Sequence, residues 1–196
     1  MGRFTASFSG VELDLKNISA PFAAMLEPLR TLAGRKEIDL TQIPSPKGIA
    51  PESVAISAEI VHETASDHGV SRLVFCRDPA IPEGWNSEYR VIGYAKSPIE
   101  LEMAKDDYTA ALPWEWLKDS LRNGKASFAN EAGTTTTVIS TGHGSLIGQP
   151  QHAELEIRAS WTPTSMDLAP HVIAWTELLA LISGLPPADT NVTRIS

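Results

Sequence analysis

Residues 153–161 alternate strictly: Leu155, Ile157, Ala159 and Trp161 fall on one side, and Glu154, Glu156, Arg158 and Ser160 on the other. A period of two belongs to a strand with one covered face and one wetter face. Val54 to His62 shows the same pattern, with Val54, Ile56, Ala58 and Ile60 opposed to Ser57 and Glu59. Arg72 to Arg77 and Tyr89 to Lys96 are rich in valine, isoleucine and aromatics, and the short connections between these segments predict an antiparallel meander. Ser127 to Asn130 and Thr134 to Thr141 read as two strand pieces separated by a turn at Ala132-Gly133. Two further short pieces, Phe4 to Phe8 and Val11 to Leu15, flank Gly10.

Three segments carry helical spacing instead. Phe22, Met25, Leu26, Leu29 and Leu32 recur behind Ser19 as cap, with Gly34 past the end and Pro28 expected to kink or restart the helix. Pro113 opens a helix with Trp114, Leu117 and Leu121 on one stripe, closed by Asn123-Gly124. The last helix starts after Asp167, carries Leu168, Val172, Trp175, Leu179 and Ile182, and stops at Gly184 before Pro186-Pro187. The order α-βββ-α-ββ(β)-α predicts an α+β two-layer sandwich, a mainly antiparallel sheet with helices on one face. In element order it resembles the secretion-chaperone-like fold. A single domain over 1–187 is expected, with 1–18 peripheral and 188–196 a fraying tail. The proline-rich stretch 35–53 is expected to be an ordered extended connector, because Ile38, Leu40, Ile43 and Ile49 make it too apolar for a free linker.

Composition adjusts this picture in three places. A net charge of -8 disfavours a nucleic-acid partner, whose phosphates recruit lysine and arginine. One cysteine, Cys76, forms no internal disulfide, and the first twenty residues lack an apolar signal segment, so a cytoplasmic location is expected. No stretch reaches the roughly 18 to 20 apolar residues of a membrane span, so no membrane partner is expected.

Five stretches carry a family resemblance: RKEIDLTQIPSPKGIAPESVAISAE over 35–59, CRDPA over 76–80 with Trp85, PWEWLKDSL over 113–121, RASWTP over 158–163, and GLPP over 184–187. In their order and spacing they resemble an actinobacterial family, domain of unknown function 3000. The resemblance implies an intracellular bacterial protein with no assigned activity, and it supplies no catalytic residues.

Candidate chemistry is sparse. The glycines of Gly142 to Gly148 fall as GxGxxxG and lead to Pro150 and a strand, whereas a dinucleotide loop needs GxGxxG opening a helix. His62, His68, His143, His152 and His171 show no metal-ligand spacing, so no metal and no cofactor are expected. Glu100, Glu102, Asp106 and Asp107 match no calcium loop and read as a solvated segment. Glu154 and Glu156 share a strand face and are the one pair with an acid/base arrangement to test. Trp85 and Trp116 lie off the core stripes, and tryptophans placed so are candidate binding residues. The expectation is a non-catalytic protein-binding or adaptor module with a protein partner or a homodimer. The alternatives are a metal- or carboxylate-dependent hydrolase or nuclease-like enzyme, or a small-ligand-binding protein.

Overall fold

The computed structural model describes residues 10–61 and 69–187. The strand piece Phe4 to Phe8, the end of the second strand at His62, His68 and the segment 188–196 lie outside the described residues. Six strands form one antiparallel sheet: β1 (Ile38–Ile43), β2 (Glu52–Ile60), β3 (Val70–Arg77), β4 (Tyr89–Ile99), β5 (Phe128–Ser140) and β6 (His152–Pro163). Among the described residues four α-helices accompany it: α1 (Ala20–Leu26), α2 (Leu101–Ala104), α3 (Leu112–Asn123) and α4 (Ala169–Ile182). The strand order is β1-β2-β3-β4-β6-β5. After β4 the chain crosses through α2 and α3 to lay down β5 at the far edge, and β6 then fills the place between β4 and β5.

The alternation read from residues 153–161 sets the inner face. Leu155, Ile157, Ala159 and Trp161 are buried, as are Val54, Ile56, Ala58 and Ile60 on β2. Over them lies α4, buried at His171, Val172, Ala174, Trp175, Thr176 and most of its last two turns, and α3 packs beside it. Backbone geometry decides where α4 sits. A Cβ on Gly93 of β4 would stand 2.6 Å from Trp175 Cζ3 and closer still to Cη2, so the indole fills the space that only glycine leaves open. Trp175 packs in turn against Trp161 at a tilt of 38°, centroids 5.9 Å apart, and Trp161 Nε1 donates to His171 Nδ1 at 3.0 Å. His171 is fully buried and its Nε2 has no partner among the described residues.

Several expectations are corrected. The connector 35–53 is not strand-free: residues 38–43 form β1, pairing antiparallel with β2 from Ile38 opposite Ile60 to Ile43 opposite Ala55. The prolines cluster after that segment and end it rather than prevent it. No turn divides β5, because the irregularity is a bulge between Ala129 and Ala132, with Asn130 at φ 52°. Residues 11–15 form no strand, yet Val11 and Leu13 are buried in the main core, so the segment is not merely peripheral. Pro28 does interrupt the first helix: α1 ends at Leu26 and continues as a 3-10 turn over Glu27–Thr31, since proline has no N–H for the α-helical bond. Ser19 precedes α1 without capping it. Its N–H and hydroxyl instead bond Glu52, which also accepts from Arg77 Nη1 at 2.9 Å, tying the helix start to β2 and β3. Asp167 stands one residue ahead of the cap position and accepts from the Ala169 N–H at 2.9 Å.

Gly93→Ala is expected to destabilise the fold by about 1–3 kcal/mol through overpacking. A Gly93→Ala/Trp175→Phe double variant, whose smaller ring yields space, is expected to lose less than the sum of the two single changes, as denaturant melts would show. Burial pushes the His171 imidazole down to about 4, with Asp167 pulling in the opposite direction, against an ordinary 6.5. The unfolded chain therefore binds this proton more readily than the folded one. The His171 contribution to stability is complete above pH 6.5 and is lost as the pH drops toward 4, by on the order of 3 kcal/mol. His171→Asn, which keeps an acceptor for Trp161 and does not titrate, is expected to abolish that part of the acid loss when urea midpoints at neutral and acid pH are compared.

Candidate functional site

The sheet face turned away from the helices carries the alternate set of side chains, and it divides into two zones. Toward one end, Ala55, Val74 and Cys76 form a small buried cluster, packed by Ile43, Ile49, Ala50, Ile92 and Trp85. Trp85 is half-buried there as the cover of this second-face cluster. Its carbonyl accepts from Thr162 Oγ1 at 2.6 Å and Asn130 Nδ2 at 3.2 Å, which fixes the 78–88 loop over the sheet. Burial pushes the Cys76 thiol up to about 12, so it remains an unreactive apolar group at neutral pH. Next to this zone Arg90 is buried and donates to Asn130 O, Thr162 Oγ1 and Ser160 Oγ, holding the β5 bulge against β6. Burial lowers its pKa.

The other zone holds Glu154 and Glu156. Both carboxylates project outward from β6, and β4 supplies their partners across the ladder. Lys96 Nζ donates to Glu154 Oε1 at 2.8 Å, and the Tyr94 hydroxyl donates to Glu156 Oε2 at 2.9 Å. Arg158 Nη2 lies 3.0 Å from Glu156 Oε1, with its guanidinium 5.5 Å above the Tyr94 ring. Burial, reinforced by Glu156, raises the Tyr94 phenol, while Glu154 raises Lys96. Acid/base work needs one carboxyl free to take a proton beside a bound reactant. Here each carboxylate is matched by a cation or hydroxyl on an open sheet surface. Among the described residues no three of His, Cys, Asp and Glu converge as a metal-binding group.

His143 and His152 are exposed, and Gly144–Leu146 forms an exposed 3-10 turn within the glycine loop. Of the acidic segment, Leu101–Ala104 is the short helix α2, with Glu102 paired to Lys105. No helix among the described residues is long and apolar enough to cross a membrane.

Trp116 is on the opposite side of the molecule from Trp85, on α3 in the helical layer. It is half-buried against the core and stands between two adjoining hollows that share it and Leu181. One, of about 410 Å³, runs toward Met103, Leu112 and Ile99, and the other, of about 510 Å³, toward Ile173 and Pro187. Met103, Leu112 and Ile173 are exposed apolar side chains, and Glu100, Asp119 and Glu177 line the same hollows. Sequence reading finds Trp116 but misses Met103, whose acidic neighbours disguise the apolar side of α2. It also misses Ile173 and Leu181, because α4 is apolar all round and its pattern does not tell the exposed flank from the buried one.

Glu156→Gln is expected to lower the Tyr94 titration midpoint toward that of an ordinary phenol. The part of the shift caused by burial would remain, because the side chain stays where it is. Phenolate absorbance, with Tyr94→Phe as the reference, checks this; an unchanged midpoint would show that the hydrogen bond does not form.

No curated protein and no solved structure matches the chain. Across residues 18–193, covering all four helices and all six strands, the chain matches the family model described as protein of unknown function (DUF3000), and it belongs to that family.

Proposed function

We propose that this protein is a non-catalytic protein-binding module that receives an apolar, basic-flanked segment of another protein on its helical side. The observation that carries the reading is Trp116, half-buried between two hollows edged by Met103, Leu112, Ile173 and Leu181. A tryptophan in such a position offers large contact area at little entropic cost. The chemistry of the occupant follows from the lining. The apolar floor favours residues spaced three and four apart on one helix face, as in helix-in-groove recognition. Glu100 at the rim, on a chain of net charge -8, favours lysine or arginine at the flank, while Asp119 and Glu177 are already paired with Arg122 and Arg35. The carboxylate-enzyme alternative finds less support, since Glu154 and Glu156 are each engaged by Lys96, Tyr94 or Arg158.

Selection of helical peptides from a display library against the intact chain is expected to enrich apolar faces flanked by basic residues. Trp116→Ala should weaken the selected peptides at least about tenfold, equivalent to ~1.4 kcal/mol, while Glu156→Gln leaves them unchanged. Peptides indifferent to Trp116→Ala, or no enrichment at all, would reject the reading.

A further inference from the structure

An open sheet has two edges, and this one treats them differently. At β1 the edge is short and guarded. The Gln42 side chain accepts from the Asp14 N–H at 2.6 Å and donates to the Asp14 carbonyl at 3.2 Å, Asp39 is exposed on the strand, and Pro44 follows it. Such devices keep an edge from recruiting another strand. At β5 they are missing over most of the length. The bulge and Glu131 lie at its start, but no charged residue occurs from Ala132 through Gly142, and Thr134 to Ser140 contains neither proline nor glycine. Thr134 to Thr137, Val138 and Ile139 are β-branched, with Val138 38% and Ile139 43% exposed. The strand pairs only with β6, so alternate N–H and C=O groups from Thr134 to Ser140 face outward without a backbone partner among the described residues. Two of the most exposed apolar side chains lie nearby: Ile147 (78%) in the β5–β6 connection, and Tyr108 (81%) at the start of the 3-10 turn that contacts β5.

We infer that β5 is a self-association edge, pairing antiparallel with β5 of a second copy about a two-fold axis at Thr137. The free groups of two copies face each other only when paired residues have the same parity, which places the axis beside a residue. With the axis at Thr137, Thr134 meets Ser140, Thr135 meets Ile139, and Thr136 meets Val138. Each exposed aliphatic side chain then stands beside a threonine, and no charge opposes another. Charge does not bar a second copy at this edge. Two chains of net charge -8 repel, and an eleven-residue neutral stretch, Ala132 to Gly142, is where they approach with least penalty. The product is a continuous sheet with six strands from each copy and both helical layers on one side. None of the residues lining the Trp116 hollows lies on β5, so this inference stands apart from the proposed binding role.

Light scattering on the intact chain across the micromolar range is expected to give a dimer. Thr136→Lys/Val138→Lys, which sets lysines against lysines across the axis, is expected to give a monomer with an unchanged circular dichroism spectrum. Under mild oxidation, an equimolar mixture of Thr134→Cys and Ser140→Cys chains should form a disulfide-linked pair more readily than either variant alone. Trp116→Ala should remain dimeric. A wild-type chain that is monomeric throughout, a lysine variant that still dimerises, or cysteine variants that link only with themselves would each overturn the inference. The first of these would leave the edge to a strand of a different protein.

Discussion

The seat of Trp175 on Gly93 is the constraint on which the rest of the molecule depends. The indole occupies the volume a side chain on β4 would take, and its outer neighbour is Trp161 on β6. One ring therefore fixes the height of α4 above two adjacent strands. His171, a turn earlier on the same helix, takes the Trp161 N–H and anchors the helix start on β6. A helix apolar on every side has no preferred rotation of its own. This aromatic contact supplies one, and with it α3 finds its place beside α4, with Trp114 over Gly133 of β5.

With the helices all on one face, the opposite face must be reconciled with water by other means. At one end it is covered by Trp85 and the Ile49-Ala50 segment over Ala55, Val74 and Cys76. At the other it is made polar by paired charges, with Lys96 and Tyr94 on β4 opposed to Glu154 and Glu156 on β6. Exposed pairs of this kind contribute little to stability. Their effect is to leave the two carboxylates engaged. The exposed apolar features lie elsewhere, at the Trp116 hollows of the helical layer and along the β5 edge.

How much of this was legible depends on how local each signal is. The β6 alternation, the β2 alternation and the stop at Gly184 are written in neighbouring residues, and the structure follows them closely. β1 was hidden because Pro44, Pro46 and Pro51 suggested a connector, although Ile38, Asp39 and Leu40 before them already alternate. The β5 bulge reads as a turn because Gly133 interrupts a strand pattern in the same way in either setting. Glu154, Glu156 and Arg158 share one face, as their alternation indicates, but Lys96 and Tyr94 come from a strand 58 and 62 residues earlier, and no local pattern announces them.

By itself the sequence determined which residues of β2 and β6 face inward, the positions of α3 and α4, the α+β class and membership of the family, because periodicity and short motifs are properties of neighbours in the chain. Only the tertiary structure decided that β6 lies between β4 and β5, that Trp85 and Trp116 stand on opposite sides of the molecule, and which sheet edge is left bare. Strand order and exposure are set by packing between distant segments, where one missing Cβ at residue 93 weighs more than any local preference.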